Sequence, residues 1–315
     1  RQDMAKGRSQ RSGSGDADDR MFIHSFRIRR QRYNFDKLLT VHGNRRFPLR
    51  FCSYLCFVIF SVQMAYHPGI IIQARTGSSR LPGKMILPFA RDMNLLELML
   101  TDFRQTAGDI PFVVATTVQP GDEAIIAICR NLDVPYFRGP EQDVLKRFIL
   151  TAKQFGFDTI IRVCADNPFF DLGTTLGLLD VLIDMKCDYT GFSINGKPSI
   201  KTHLGLWGEA VTLESLLKTS TLTTEPKYRE HVTNYLYSNL SDFRITLIPA
   251  PYGFHDREDL RFTLDTEIDF KLQQQLYQMA GVLPNPERLF ELIKITGKNE
   301  QYIITMREEI DRNSK

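Results

Sequence analysis

The feature that most limits the fold of this chain is the segment Gly69-Ile70-Ile71-Ile72-Gln73-Ala74-Arg75-Thr76-Gly77-Ser78-Ser79-Arg80-Leu81-Pro82-Gly83-Lys84. It opens with an unbroken apolar run, rich in isoleucine. Such a run reads as a strand buried on both faces, the mark of a parallel sheet covered by helices. The run ends abruptly in a loop of Gly, Ser and Pro that carries three cations. In an open α/β sheet, ligands bind at the C-terminal ends of the strands. Small residues let backbone N–H groups approach an anion, and Arg75, Arg80 and Lys84 add fixed positive charge. The combination suits a polyphosphate; an ordinary basic surface turn is the plainer alternative. The segment is not a P-loop, because five residues rather than four separate Gly77 from Gly83, and Met85 stands where a metal-binding hydroxyl belongs.

Strand and helix signals alternate after residue 68. Strands are expected at Ile110–Ala115, Val134–Phe137, Thr159–Val163 and Ile245–Ile248. Asn94 and Glu97 read as a capping box ahead of a leucine-rich helix. Further helices are expected after Pro120, from Gln142 to Gln154, and from Leu172 to Ile183 with Asp171 as cap. Two more are expected from Pro226 through Tyr237 and from Thr266 to Ala280. Residues 188–212 read as strands and hairpin-like turns. This rhythm predicts an α/β fold with a mostly parallel, doubly wound sheet, and no linker divides residues 68–315.

Charge is unevenly spread. Residues 1–67 hold 13 Lys+Arg against 5 Asp+Glu, a balance of +8, which leaves −5 for the rest of a chain whose net charge is +3. Residues 1–20 have a disordered composition. The apolar run Phe51–Val62 is too short to cross a bilayer as a helix, which takes about 20 residues. Three readings of this extension stand: a membrane-surface anchor, a late signal sequence, or a non-native or dispensable extension ahead of a natural start at Met64. The last is the expectation, with no stable membrane insertion. The five cysteines (Cys52, Cys56, Cys129, Cys164, Cys187) form no paired framework or zinc spacing. They suit free thiols in a reducing cytoplasm. No basic–aromatic pattern points to nucleic acid.

Two carboxylates follow apolar strand-like stretches: Asp166 in Arg162-Val163-Cys164-Ala165-Asp166-Asn167-Pro168, and Asp265 in Arg261-Phe262-Thr263-Leu264-Asp265-Thr266. Mg2+ takes one or two carboxylates together with phosphate oxygens. A turn role for Asp166 and a helix N-cap role for Asp265 account for them equally well. Ala115-Thr116-Thr117, followed by Asp122, offers a small polar rim suited to a nucleobase or to an ordinary turn. Arg138 and Asp143 read as a structural ion pair or as nucleotide contacts. His231, in Arg229-Glu230-His231-Val232-Thr233, reads as a helix residue that is packed or on the surface. No Ser/His/Asp or Cys/His set can be assembled.

In this order the segments resemble the cytidylyltransferase family, which includes CMP-Kdo synthetases, acylneuraminate cytidylyltransferases and the spore coat polysaccharide biosynthesis protein F group. The resemblance spans about residues 69–280 and is greatest to the last group. It implies a Rossmann-like nucleotide-diphospho-sugar transferase fold of the glycosyltransferase-A type, with residues 68–315 as the nucleotidyltransferase domain. It implies transfer of CMP from CTP to a sugar acceptor, an acidic sugar of surface polysaccharide or glycan synthesis, with release of pyrophosphate and Mg2+ as cofactor. By family position Gln73, Ala74, Arg75, Gly77, Ser78, Ser79, Arg80 and Lys84 hold the nucleotide, with Ala115, Thr116, Arg138 and Asp143. Arg80, Lys84 and Asp166 serve catalysis, and Asp166 and Asp265 the metal. Arg162, Glu209, Arg229 and His231 serve the acceptor. The resemblance also admits a cytoplasmic homodimer. Trp207 departs from the small polar residue expected at its position, next to the acceptor region. A non-catalytic nucleotide-sugar binding protein, or a nucleotidyltransferase using another nucleotide, are the alternatives.

Overall fold

A computed structural model describes residues 66–281 and 283–313. The basic extension, with its apolar run, Cys52, Cys56 and Met64, lies outside the described residues. No helix among the described residues is long and apolar enough to cross a membrane.

The isoleucine run forms β1 (Pro68–Gln73), whose three isoleucines are fully buried. Gly69 is required there, since a Cβ would lie 2.2 Å from the Phe157 ring. A small antiparallel pair, β2 (Pro88–Ala90) and β3 (Met93–Asn94), leads into α1 (Leu95–Thr106), which opens with the expected Asn94–Glu97 capping box. Then follow β4 (Phe112–Thr117), α2 (Glu123–Asn131), β5 (Tyr136–Gly139), α3 (Val144–Phe155), β6 (Thr159–Cys164) and α4 (Leu172–Asp184). Asp143 and Asp171 cap α3 and α4 by accepting from Lys146 N and Thr174 N. Strand β4 starts two residues later than its sequence suggests; Pro111 has no N–H to give to a ladder.

The remaining strands are β7 (Tyr189–Ile194), β8 (Lys197–Pro198), β9 (Glu209–Thr212) and β10 (Ile245–Pro249). Helices α5 (Leu213–Leu222), α6 (Pro226–Glu230) and α7 (Asn234–Ser238) separate the last two strands. The sheet runs β10-β7-β9-β6-β1-β4-β5. All pairings along it are parallel except those of β9 with β6 and β7. The fold is therefore mixed α/β around a mostly parallel sheet, with β1 in its interior between β6 and β4. Ile71, Val113, Phe148, Leu216 and Leu236 join one face of the sheet to its covering helices in a continuous core.

The single helix expected from Pro226 through Tyr237 is broken. Residue His231 ends α6 with φ −99° and ψ 84°, so His231-Val232-Thr233 is a link rather than a helical turn. The break lets Thr233 turn its hydroxyl onto a buried carboxylate, Glu209. After α8 (Glu267–Ala280) the chain adds two helices for which the sequence analysis holds no expectation, α9 (Glu287–Lys298) and α10 (Glu300–Asn313).

Candidate active site

The strands β1, β4, β5 and β6 all end at one edge of the sheet, and the loop after β1 runs along it. Its first half is fixed by Asp122. That carboxylate accepts from Thr76 N and Thr76 Oγ1, each at 2.7 Å, through one oxygen. Through the other it accepts from Thr116 Oγ1 at 3.0 Å, Thr117 N at 3.1 Å and Thr117 Oγ1. Burial opposes ionisation of Asp122, but the donors on Thr117, Thr76 and Thr116 outweigh it and lower the pKa. Gly83 N closes the loop onto Thr76 O at 3.0 Å. Gly77, Ser78 and Ser79 form the turn between these ties, with Gly77 beside the Glu141 side chain. Ala115 and Thr116, expected near a base, are fully buried beneath the loop, and the Thr116 hydroxyl belongs to Asp122.

The second half of the loop delivers Arg80 and Lys84 to the two singled-out carboxylates. Lys84 Nζ donates to Asp166 Oδ2 at 2.8 Å, Asp265 Oδ1 at 3.1 Å and Leu264 O at 2.5 Å. Arg80 reaches Asp265 Oδ1 at 2.9 Å and Asn313 Oδ1 at 2.6 Å. Arg261, fully buried, holds Asp265 Oδ2 at 3.2 Å and Asp269 Oδ1 at 2.7 Å. Burial raises the pKa of Asp265, yet Lys84, Arg80 and Arg261 together lower it. Burial works against the Lys84 ammonium as well, and Asp166 and Asp265 raise its pKa regardless. Asp265 is not the N-cap of α8: Thr266 caps it, and Asp269 completes the capping box. Freed from capping, the Asp265 side chain points at the loop. Gln73, at the tip of β1, ties the strand to the Asp166 turn through its carbonyl, which accepts from Ala165 N at 3.1 Å.

A third group frames the rim. Arg75 pairs with Glu230 at 3.5 Å and Arg229 with Asp143 at 3.8 Å, so α6 leans on both the loop after β1 and the start of α3. Arg138 Nε donates to Thr117 O at 3.2 Å, and its guanidinium also pairs with Glu123. Exposed His231 follows on the same link. Ala74 is buried at the root of the loop.

Arg162 and Glu209 are not on the cleft surface. Both are buried, and they bind one another at 2.6 Å. Tyr189 and Thr233 donate to the same carboxylate, so the two residues expected at the acceptor stand behind the site as a closed ion pair. This is a correction to their reading as direct contacts, and its cause is β9, which brings Glu209 opposite Arg162. Beside Asp166 lies a cavity of about 90 Å³ lined by Asn167, Ser199, Thr202, Trp207 and Thr263, among others. Gly205, at φ +60°, also lines it; a Cβ there would sit 2.6 Å from Asn167 Oδ1. Trp207 is buried and packs on Phe192 and Phe254 with centroids 5.2 and 5.6 Å away, forming one wall. Cys129, Cys164 and Cys187 are free thiols with pKa values pushed up by burial, to about 12 for Cys129 and about 11 for Cys164.

Sequence reasoning missed two contributors. Asp122 stands out in the sequence only as a residue after the rim, although an Asp five residues beyond a Thr pair at a strand end is a natural acceptor for both hydroxyls. The carboxamide of Asn313 comes from α10, whose start was signalled by Asn299: its side chain accepts from Gln301 N at 3.1 Å.

Known proteins resemble this chain in sequence and in fold. The family model described as cytidylyltransferase matches residues 69–289. The spore coat polysaccharide biosynthesis protein SpsF of Bacillus subtilis is 35% identical over 238 residues, covering 73% of this chain and 93% of that protein. An uncharacterised protein of Methanocaldococcus jannaschii is 35% identical over 231 residues, covering 73% of this chain and 90% of that one. A solved cytidylyltransferase structure from Leptospira borgpetersenii superposes with a TM-score of 0.64 at 28% identity, covering 76% of this chain and 97% of that one.

Proposed function

The chain belongs to the cytidylyltransferase family and is a nucleotidyltransferase, and on that premise we propose that it transfers CMP from CTP to a sugar hydroxyl with release of pyrophosphate. The observation that carries the reading is the meeting of Arg80 and Lys84 with Asp166 and Asp265 at the C-terminal edge of β1 and β6. The anion-binding loop thus adjoins a pair of hard oxygen ligands. That pair fits Mg2+: one cationic centre, the Lys84 ammonium, already touches both carboxylates at 2.8 and 3.1 Å. When bound there, the ion would orient the α-phosphate and ease deprotonation of the attacking hydroxyl.

The remaining work falls to the protein. Displacement at a phosphorus atom demands alignment and charge neutralisation more than covalent catalysis. The acceptor oxygen forms a new bond to the α-phosphorus and the bond to the bridging oxygen breaks, so negative charge gathers on the departing pyrophosphate. Arg75, Arg80 and Lys84 lie along the loop that would carry it and offset that charge. The acceptor sugar enters the cavity beside Asp166, where Ser199, Thr202 and Asn167 offer hydrogen bonds and Trp207 an aromatic wall. The test is pyrophosphate release from CTP, UTP, GTP and ATP against a panel of neutral and acidic sugars. Release with CTP and a sugar, and at least tenfold less with UTP, supports the proposal. Equal turnover of all four nucleotides would place the enzyme elsewhere among nucleotidyltransferases.

A further inference from the structure

Lys84 has three N–H donors and all three are spent: on Asp166 Oδ2, Asp265 Oδ1 and Leu264 O. The side chain is 9% exposed, so no donor turns to solvent. Arg80 divides its fork between Asp265 and Asn313, and Arg261 divides its own among Asp265, Asp269 and the His203 ring. Around the carboxylate pair, three cations (Lys84, Arg80, Arg261) face three carboxylates (Asp166, Asp265, Asp269). The group is neutral as it stands. A divalent ion arriving alone meets no net negative charge and a buried ammonium in its way.

We infer that Lys84 is an exchangeable counterion that keeps free divalent metal off Asp166 and Asp265, so that the ion is taken up only together with a triphosphate. The inference rests on reading those carboxylates as metal ligands. Lys84 cannot contact a phosphate without surrendering one of its three present acceptors, two of which are the carboxylates. Its only gain comes from an anion entering beside it, and a triphosphate is that anion. When Lys84 turns to the phosphates, Asp166 and Asp265 regain net negative charge at the point where the nucleotide's own metal arrives. Arg80 makes the same exchange more easily, being 40% exposed at the outer end of the loop. Asn313 supplies its alternative hold when Asp265 lets go. Arg261 does not exchange, since its Nε and Nη2 each donate to an Asp269 oxygen at 2.7 Å and it is fully buried.

The exchange predicts that removing the Lys84 charge strengthens binding of metal while weakening binding of nucleotide. A merely structural lysine would weaken both. The probe is Mn2+ alone, titrated calorimetrically into the nucleotide-free full chain. Lys84→Met should bind Mn2+ at least tenfold more tightly than the unaltered protein, and adding Asp166→Asn to it should remove the gain. In a parallel titration without metal, Lys84→Met should bind CTP more weakly. Arg80→Gln, on the exposed loop, should give a smaller gain of about threefold in Mn2+ affinity and serves where Lys84→Met does not fold. Equal Mn2+ affinity in the unaltered protein and both variants overturns the exchange. Tight Mn2+ binding by the unaltered protein that Asp166→Asn abolishes also overturns it, while leaving the metal assignment intact. Mn2+ binding that is indifferent to Asp166→Asn and Asp265→Asn, with or without CTP, overturns the exchange together with the metal assignment.

Discussion

Two carboxylates grip the same loop in opposite ways. Asp122 holds its first half with amide and hydroxyl donors from three threonines. Asp265 holds its second half through Lys84 and Arg80, with Arg261 behind. The donors on Asp122 are uncharged amides and hydroxyls gathered on a buried carboxylate, so that tie sets the shape of the loop. Cationic donors on Asp265 are suited to a second anion, so that tie is conditional. A loop fixed at one end and exchangeable at the other can present a preformed turn to a nucleotide and still rearrange its charges around it.

The largest effect that tests this contrast is on turnover. Asp166→Asn and Asp265→Asn should each lower Mg2+-dependent pyrophosphate release by about 10²-fold or more, the scale seen when a preorganised charge partner is removed. Melting temperature should move by only a few degrees. Near-normal release at limiting Mg2+ would break the contrast, leaving Asp265 as structural as Asp122.

Asp122→Ala should do the reverse. It strands the hydroxyls and amides of Thr76, Thr116 and Thr117 and should cost about 2–3 kcal/mol of stability, read by denaturant unfolding. Nucleotide affinity should fall with it as the loop loses its anchor. A variant that unfolds at the unaltered midpoint would mean the threonines hold the loop without Asp122.

Acid sharpens the comparison further. Folding lowers the pKa values of both Asp122 and Asp265. A carboxyl lowered on folding contributes stability above its unfolded value, near 3.9, and that contribution is lost as pH falls through the folded value. Stability should therefore drop steeply below about pH 4, and Asp122→Asn should flatten that drop. An unchanged acid limb in the variant would count against the Asp122 anchor.

The smallest effect is expected at the rim. Arg138→Ala removes a pair with the half-exposed Glu123 and should cost less than about 1 kcal/mol. A large loss of CTP affinity without loss of stability would promote Arg138 from rim pair to nucleotide ligand.

Much of this protein could be read from local sequence, and the rest could not, for a physical reason. The buried β1, the Asn94–Glu97 capping box and the Asp171 cap follow from apolar runs and from side chains that reach only a few residues along the chain. The site segments could be picked out for the same reason, since small residues and charges at a strand end are a local pattern. What those segments do to each other was beyond reach. Lys84 meets Asp166 across 82 residues and Asp265 across 181. Arg162 closes on Glu209 across 47, which withdrew both from the cleft, and the break at His231 sets the Thr233 hydroxyl on the same carboxylate. Propensity and capping act over a turn or two of chain. Which charge neutralises which is decided by strand order, here by the crossover that sets β6 beside β1 and the antiparallel insertion of β9.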